Sequence, residues 1–169
     1  MAITTERTSG EVRDSFIGAM SGAATGVTVV TTAGAAGRFG QTVSAMSSVS
    51  ADPPTVLVCV NRKSPLADAA ERNGFIAVNV LAADQVDVAQ TFAGRPAAGA
   101  PYHFDQGSWD LADVPVLCDA AAVFVCQVDT IVESGTHAVI FGRVCAADAG
   151  DRDPLLYSRR AFARATPVS

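Results

Sequence analysis

The sequence predicts a mainly β domain, an antiparallel barrel with a few short flanking helices. Six apolar, largely β-branched runs of strand length lie at residues 26–32, 38–43, 55–60, 75–81, 120–132 and 138–147. Many are joined by short turns and only a few helical patterns separate them, which favours antiparallel neighbours over a wound parallel sheet. Neither G-x-G-x-x-G nor a P-loop occurs, so a bound nucleotide is expected outside the Rossmann scheme.

Residues 1–8 are polar and are expected to fray. Ser9 is the expected N-cap of a helix in which Val12, Phe16 and Met20 recur at spacing four, a face for packing, and Gly22 ends it. The first two strands follow as a pair around a Gly-rich turn at 33–37. Residues 42–54 place Thr42, Ser44, Ser47, Ser48 and Ser50 ahead of Asp52-Pro53-Pro54, which reads as a loop closed by a stop signal. The run Thr55 to Val60 has the length and continuity of a fully buried strand. It emerges into Asn61-Arg62-Lys63-Ser64, and Ser64-Pro65 opens a helix that Gly74 closes. Hydroxyls, backbone amides and positive charge thus converge on one strand end, as a phosphate requires; an ordinary polar loop feeding a strand is the other reading.

Further along, Asn79 interrupts the strand at 75–81 and is expected either with a buried partner or at a solvated edge. Asp84 is the expected cap of a short helix with a Val88/Phe92 pair. From Gly94 to Val114 a long irregular stretch carries Tyr102, His103 and the single Trp, the character of a lid or interface segment. His103 is a candidate ligand or base, with a surface loop histidine as the commoner case. The last two long runs are joined by Glu133 to His137, a hairpin bent at Gly135. A basic segment, 153–160, closes the chain and is expected to end in a short helical piece.

Composition narrows the function. A chain of 169 residues with 49% hydrophobic content supports one domain, taken as 1–169, with a core built mainly from Val, Ala, Ile and Leu. A net charge of −5 without a basic block argues against nucleic-acid or anionic-membrane partners. Cys59, Cys118, Cys126 and Cys145 lack C-x-x-C spacing and are expected as buried free thiols, not as zinc ligands or disulfides. Without a signal-peptide pattern or a membrane-spanning apolar run, the expected location is cytoplasmic.

In order along the chain, Thr25-Gly-Val-Thr-Val-Val-Thr-Thr32, Thr42-Val-Ser44 to Ser47-Ser-Val-Ser50, Asp52-Pro-Pro-Thr-Val-Leu-Val-Cys-Val60, Phe75-Ile-Ala-Val-Asn-Val-Leu81, Gly135-Thr-His137, Ile140-Phe-Gly142 and Pro154-Leu-Leu-Tyr157 resemble the flavin reductases of two-component flavin-dependent monooxygenases, from about Val12 to Phe162. The resemblance implies a split β-barrel, antiparallel and Greek-key-like, that binds FAD or FMN, works as a homodimer with its site near the interface, and uses NADH or NADPH. It implies reduced flavin delivered to a partner monooxygenase.

By motif, Thr42, Val43, Ser44 and Ala45 are implied to line the isoalloxazine. Ser47, Ser48, Asn61, Arg62 and Ser64 are implied to hold the ribityl and phosphate portions, and Phe92, Ala93 and Arg95 to touch the adenine or the ring edge. His137 is implied to lie against the nicotinamide nucleotide. Tyr157 and Arg159 either close the nucleotide site or anchor the chain end. The family's Gly-Asp-His turn has Thr136 in its acidic place here, and Gln41, Ala45, Met46 and Arg143 also depart from the pattern. Such chemistry explains why no catalytic triad or carboxylate pair is seen: the cofactors do the electronic work while the protein stacks and orients them. A flavin-binding carrier or sensor without nicotinamide turnover, and a small barrel packing a hydrophobic ligand, are the competing readings.

Overall fold

Every one of the six runs forms a strand, and all strand pairs are antiparallel. A computed structural model of the chain describes residues 8–167. Its elements are α1 (Ser9–Ser21), β1 (Thr25–Gly26), β2 (Thr28–Thr32), β3 (Phe39–Val43), β4 (Met46–Ala51), β5 (Pro54–Asn61), α2 (Pro65–Asn73), β6 (Phe75–Val80), α3 (Val86–Phe92), β7 (Trp109–Asp110), β8 (Val116–Leu117), β9 (Ala122–Ser134), β10 (His137–Ala149), β11 (Leu155–Ser158) and β12 (Ala161–Arg164). A seven-stranded sheet runs β3-β2-β6-β9-β10-β5-β4, with β1-β11-β12 and β7-β8 as smaller sheets.

The two outermost strands of the large sheet, β3 and β4, are consecutive in sequence and joined only by Ser44 and Ala45. Two residues span at most about 10 Å between flanking Cα atoms. The sheet therefore curls until its edges meet at this corner, yet β3 and β4 share no ladder. The result is a mainly antiparallel β fold with an open seam, in line with the split barrel expected.

Two apolar clusters fill the curl. One gathers Val30, Val56, Val58, Val60, Leu66, Ile76, Val78 and Ile140; the other gathers Val29, Leu81, Val88, Phe92, Leu117 and Leu155. Between them the Asn79 side chain is fully buried and satisfied. Its Nδ2 donates to the Val29 carbonyl at 3.0 Å and to Thr31 Oγ1 at 3.3 Å, while Oδ1 accepts from the Leu117 amide at 2.8 Å. Of the two environments open to it, Asn79 takes the buried one.

Several local expectations change. The fraying assigned to residues 1–7 lies outside the described residues, but Thr8, not Ser9, caps α1, in a reciprocal capping box with Glu11. The α1 face is not packed on the barrel: Val12, Phe16 and Met20 are all more than half exposed. The hydroxyl-rich stretch is not all loop, since 46–51 pairs with β5 as an edge strand. An edge tolerates serines on both faces and a Pro-Pro stop. β5 is buried on one face only, through Val56, Val58 and Val60.

Ser64, Pro65 and Gly74 cap α2 as expected, with Gly74 at φ 76°. Gln85, not Asp84, precedes α3, because the Asp84 carboxylate is taken by Arg152. The irregular stretch yields Phe104 and Trp109 to a core triad with Phe92, ring centroids 4.9–5.4 Å apart, while His103 stays at the surface near Asp105. All four cysteines are free, but only Cys126 is buried; Cys118 and Cys145 are exposed because they fall on outward positions. The closing segment is a hairpin, β11-β12, and not a helical piece. Among the described residues no helix is long and apolar enough to cross a membrane.

Candidate active site

The open seam is where the candidate residues collect. An edge strand leaves one row of backbone N–H and C=O groups without ladder partners, and here the end of β3 and the linker Ser44-Ala45 border a pair of cavities. The cavities, of about 210 and 450 Å³, share Thr42, Val43 and Ser44 as a common wall. The wall is held from behind: Thr42 Oγ1 donates to the Ala89 carbonyl of α3 at 2.7 Å, and Thr28 Oγ1 donates to the Val43 carbonyl at 3.1 Å. Gly40, one turn of the pleat away, lies so close to Phe92 that an added Cβ would stand 2.5 Å from its ring. The Ala45 carbonyl accepts from the Cys59 amide at 3.0 Å, which fixes the link to β5.

The smaller cavity is walled by Gln41, Thr42, Val43, Ser44, Ala45, Cys59, Asn61 and His137. His137 opens β10 directly opposite Asn61 of β5, so both side chains arrive from paired positions. The Thr136 hydroxyl meets His137 Nδ1 at 2.9 Å. That contact occupies Nδ1 and leaves Nε2 as the ring nitrogen open to a ligand. Asn61 Oδ1 accepts from the Lys63 amide at 2.9 Å, and its Nδ2 has no acceptor among the described residues.

Arg62 engages the neighbouring turn. Its guanidinium pairs with Glu133 at 2.9 Å and donates to the Gly135 carbonyl at 3.3 Å, and its amide donates to the Thr136 carbonyl at 3.0 Å. These contacts tie the β9-β10 turn, with Gly135 at φ 55°, to the end of β5. The exposed ion pair alone is worth roughly 0–1 kcal/mol; its consequence here is the placement of His137.

The larger cavity lies on the other side of the wall, between α3 and the β11-β12 hairpin. Val27, Ala89, Gln90, Ala93, Arg95, Tyr157, Arg160 and Phe162 complete it. Tyr157 and Phe162 pack edge to face, centroids 5.5 Å apart.

Of the residues expected at the site, Thr42, Val43, Ser44, Ala45, Asn61, His137, Ala93, Arg95 and Tyr157 line one cavity or both. Ser47, Ser48, Arg62, Ser64 and Phe92 line neither. Ser47 and Ser48 lie on exposed positions of β4, Ser64 accepts from the Leu66 amide as a helix cap, and Phe92 is fully buried beneath the wall. Phe92 is thus a support and not a contact, because the spacing-four pair with Val88 turns it inward. Gln90, Arg160 and Phe162 were missed; the helical piece expected at the end of 153–160 left no place for the hairpin that brings Tyr157, Arg160 and Phe162 to one cavity. A third cavity, about 770 Å³ between the β2-β3 turn and residues 110–116, holds none of the expected residues.

These features define the class: an antiparallel β fold with a seam wall of main chain and small hydroxyls between two cavities. Solved structures with the same fold include the flavin reductase PheA2, 32% identical with a TM-score of 0.81, covering 91% of this chain and 98% of that one. BorF, the flavin reductase component of a bacterial two-component tryptophan halogenase, is 35% identical with a TM-score of 0.79, covering 90% and 97%. A protein of Ancylobacter novellus described as "FMN reductase (NADH) RutF" is 38% identical over 151 residues, 89% of this chain and 83% of that protein. Residues 20–166 match the flavin reductase like domain, and the chain belongs to that family of oxidoreductases.

Proposed function

We propose that the protein oxidises NADH or NADPH and reduces free FAD or FMN at the seam between β3 and β4, then releases reduced flavin to a separate monooxygenase. The observation that carries this reading is the shared wall of Thr42, Val43 and Ser44 between two cavities in a chain of the flavin reductase family. A cavity of about 450 Å³ is within the range that ligand sites occupy. The donor set fits a flavin: main-chain groups and small side chains admit a flat ring closely, and the Asn61 Nδ2 donor and His137 Nε2 are open to it on the β5-β10 side. When bound, the flavin supplies the hydride-accepting ring, and the nicotinamide supplies the hydride.

The protein's share is orientation and exclusion of water. Thr42, Val43, Ser44 and Ala45 hold one ring edge, and His137, fixed by the Arg62 clasp and by Thr136, meets the nucleotide. Relatives' names support both flavins: "FMN reductase (NADH) RutF" for the Ancylobacter protein and "NADH:FAD oxidoreductase" for SgcE6 of Streptomyces globisporus. The monooxygenase partner is supported by the neighbour described as the styrene monooxygenase flavin reductase of Pseudomonas putida. A homodimer is part of the proposal, supported by the exposed apolar face of α1.

The purified protein is expected to oxidise NADH only when FAD or FMN is added. Absence of turnover in all four pairings of flavin and nicotinamide nucleotide would overturn the proposal; a yellow protein inert to NADH would favour a carrier.

A further inference from the structure

The β11-β12 turn is built from residues that its geometry disfavours. Ser158 pairs with Ala161, so Arg159 and Arg160 alone make the turn, at φ 50° and 63°. Two-residue hairpin turns of this kind select Asn-Gly because both positions need positive φ, a region where a Cβ is crowded. Two arginines here point to a role outside local stability. The Arg159 amide donates to the Ser21 carbonyl at 2.6 Å, which seats the turn against the end of α1. Arg160 then lines the larger seam cavity together with Arg95.

In a chain of net charge −5, this cavity is lined by two arginines and no carboxylate. Neither the Arg95 nor the Arg160 side chain has an ion pair or hydrogen bond among the described residues. The cations are therefore available to an anion, next to the aromatic rings of Tyr157 and Phe162.

We propose that Arg95 and Arg160 form a two-cation subsite for the diphosphate of an adenosine arm, with Tyr157 and Phe162 receiving the base. Guanidinium groups bind phosphate oxygens in pairs, and aromatic faces take adenine. The inference rests on the flavin-reductase reading for its biological meaning, since both FAD and the nicotinamide nucleotides carry this arm and FMN does not.

The first test needs no turnover, so its failure is separable from failure of the proposed activity. ADP and adenosine are titrated by calorimetry into the wild type and into Arg95→Gln and Arg160→Gln. Each substitution is expected to weaken ADP about tenfold, the scale of one lost charge-assisted contact, and to leave adenosine within about twofold. Arg160→Gly suits the positive φ and is expected to melt no lower than wild type while losing ADP affinity equally, which separates binding from folding.

The second test measures KM for FAD, FMN, NADH and NADPH in the same variants. A rise for FAD with NADH unchanged assigns the subsite to the flavin; a rise for NADH with FAD unchanged assigns it to the nicotinamide nucleotide; a rise for both marks a shared subsite. ADP affinity unchanged in the variants, no ADP binding to the wild type, KM unchanged for FAD, NADH and NADPH alike, or a rise for FMN as large as any rise for FAD would overturn the proposal.

Discussion

His137 and Cys126 show how differently two reactive side chains can be used. His137 lines the smaller cavity with Nδ1 held by Thr136 and Nε2 left for a ligand. His137→Ala is expected to raise KM for NADH several-fold while the flavin dissociation constant stays within about twofold. Steady-state kinetics and flavin fluorescence titration check this, and unchanged KM and kcat would remove His137 from the nucleotide site. Cys126, by contrast, is withdrawn from chemistry. Burial, with Cys145 nearby as the lesser cause, pushes its thiol up to about 12.

A raised thiol pKa means the fold prefers the neutral form. Its contribution to stability is complete below the unfolded thiol's value of about 8.5 and is lost as pH rises toward about 12. The denaturant midpoint of the wild type is expected to fall more steeply with alkaline pH than that of Cys126→Ala. Parallel curves would show that the thiol's burial is not felt in stability.

At the scale of elements, the contact of β3 with α3 decides whether the seam wall keeps its place. Gly40 is there because Phe92 leaves no room for a side chain. Gly40→Ala is expected to cost about 1–3 kcal/mol through overpacking and to weaken flavin binding by shifting the neighbouring Thr42. Thermal melting and flavin titration measure both, and an unchanged melting temperature would mean that α3 yields freely.

The legibility of each element followed the reach of its cause. β2, β5, β6 and the β9-β10 hairpin were readable because β-branched runs and Gly135 act locally. β4 was misread because an edge strand places no hydrophobic demand on its outward serines, so its pairing with β5 leaves little trace in composition. The β11-β12 turn was hidden because its two arginines oppose the residue preference that identifies such turns. Within the candidate site, the motif picked out His137, Asn61 and Thr42 to Ala45, which line the smaller cavity; Arg62's engagement with Glu133 was not legible, since the partners are far apart in sequence and meet only through the β5-β10 pairing.

At the scale of the whole molecule, α1 is the element with an unfilled requirement. Its buried residues number none, while Phe16 is 63% exposed and Met20 51%. As part of the proposed homodimer this face is expected in the interface, so Phe16→Glu should shift the protein toward monomer. Light scattering after size exclusion reads the change; a wild type that is already monomeric at all concentrations would reject the dimer.

The two-residue splice between Ser44 and Ala45 has a corollary for how such a molecule can vary. Side chains on a strand point alternately to opposite faces, so an additional residue drawn into β4, slipping its register on β5 by one, would throw Met46 off the core it packs against and drive serines inward. Lengthening at this joint therefore requires that the added residue loop out and leave the β4-β5 ladder in register. The hairpin at 159–160 carries no such condition, since its length is not coupled to the register of the main sheet.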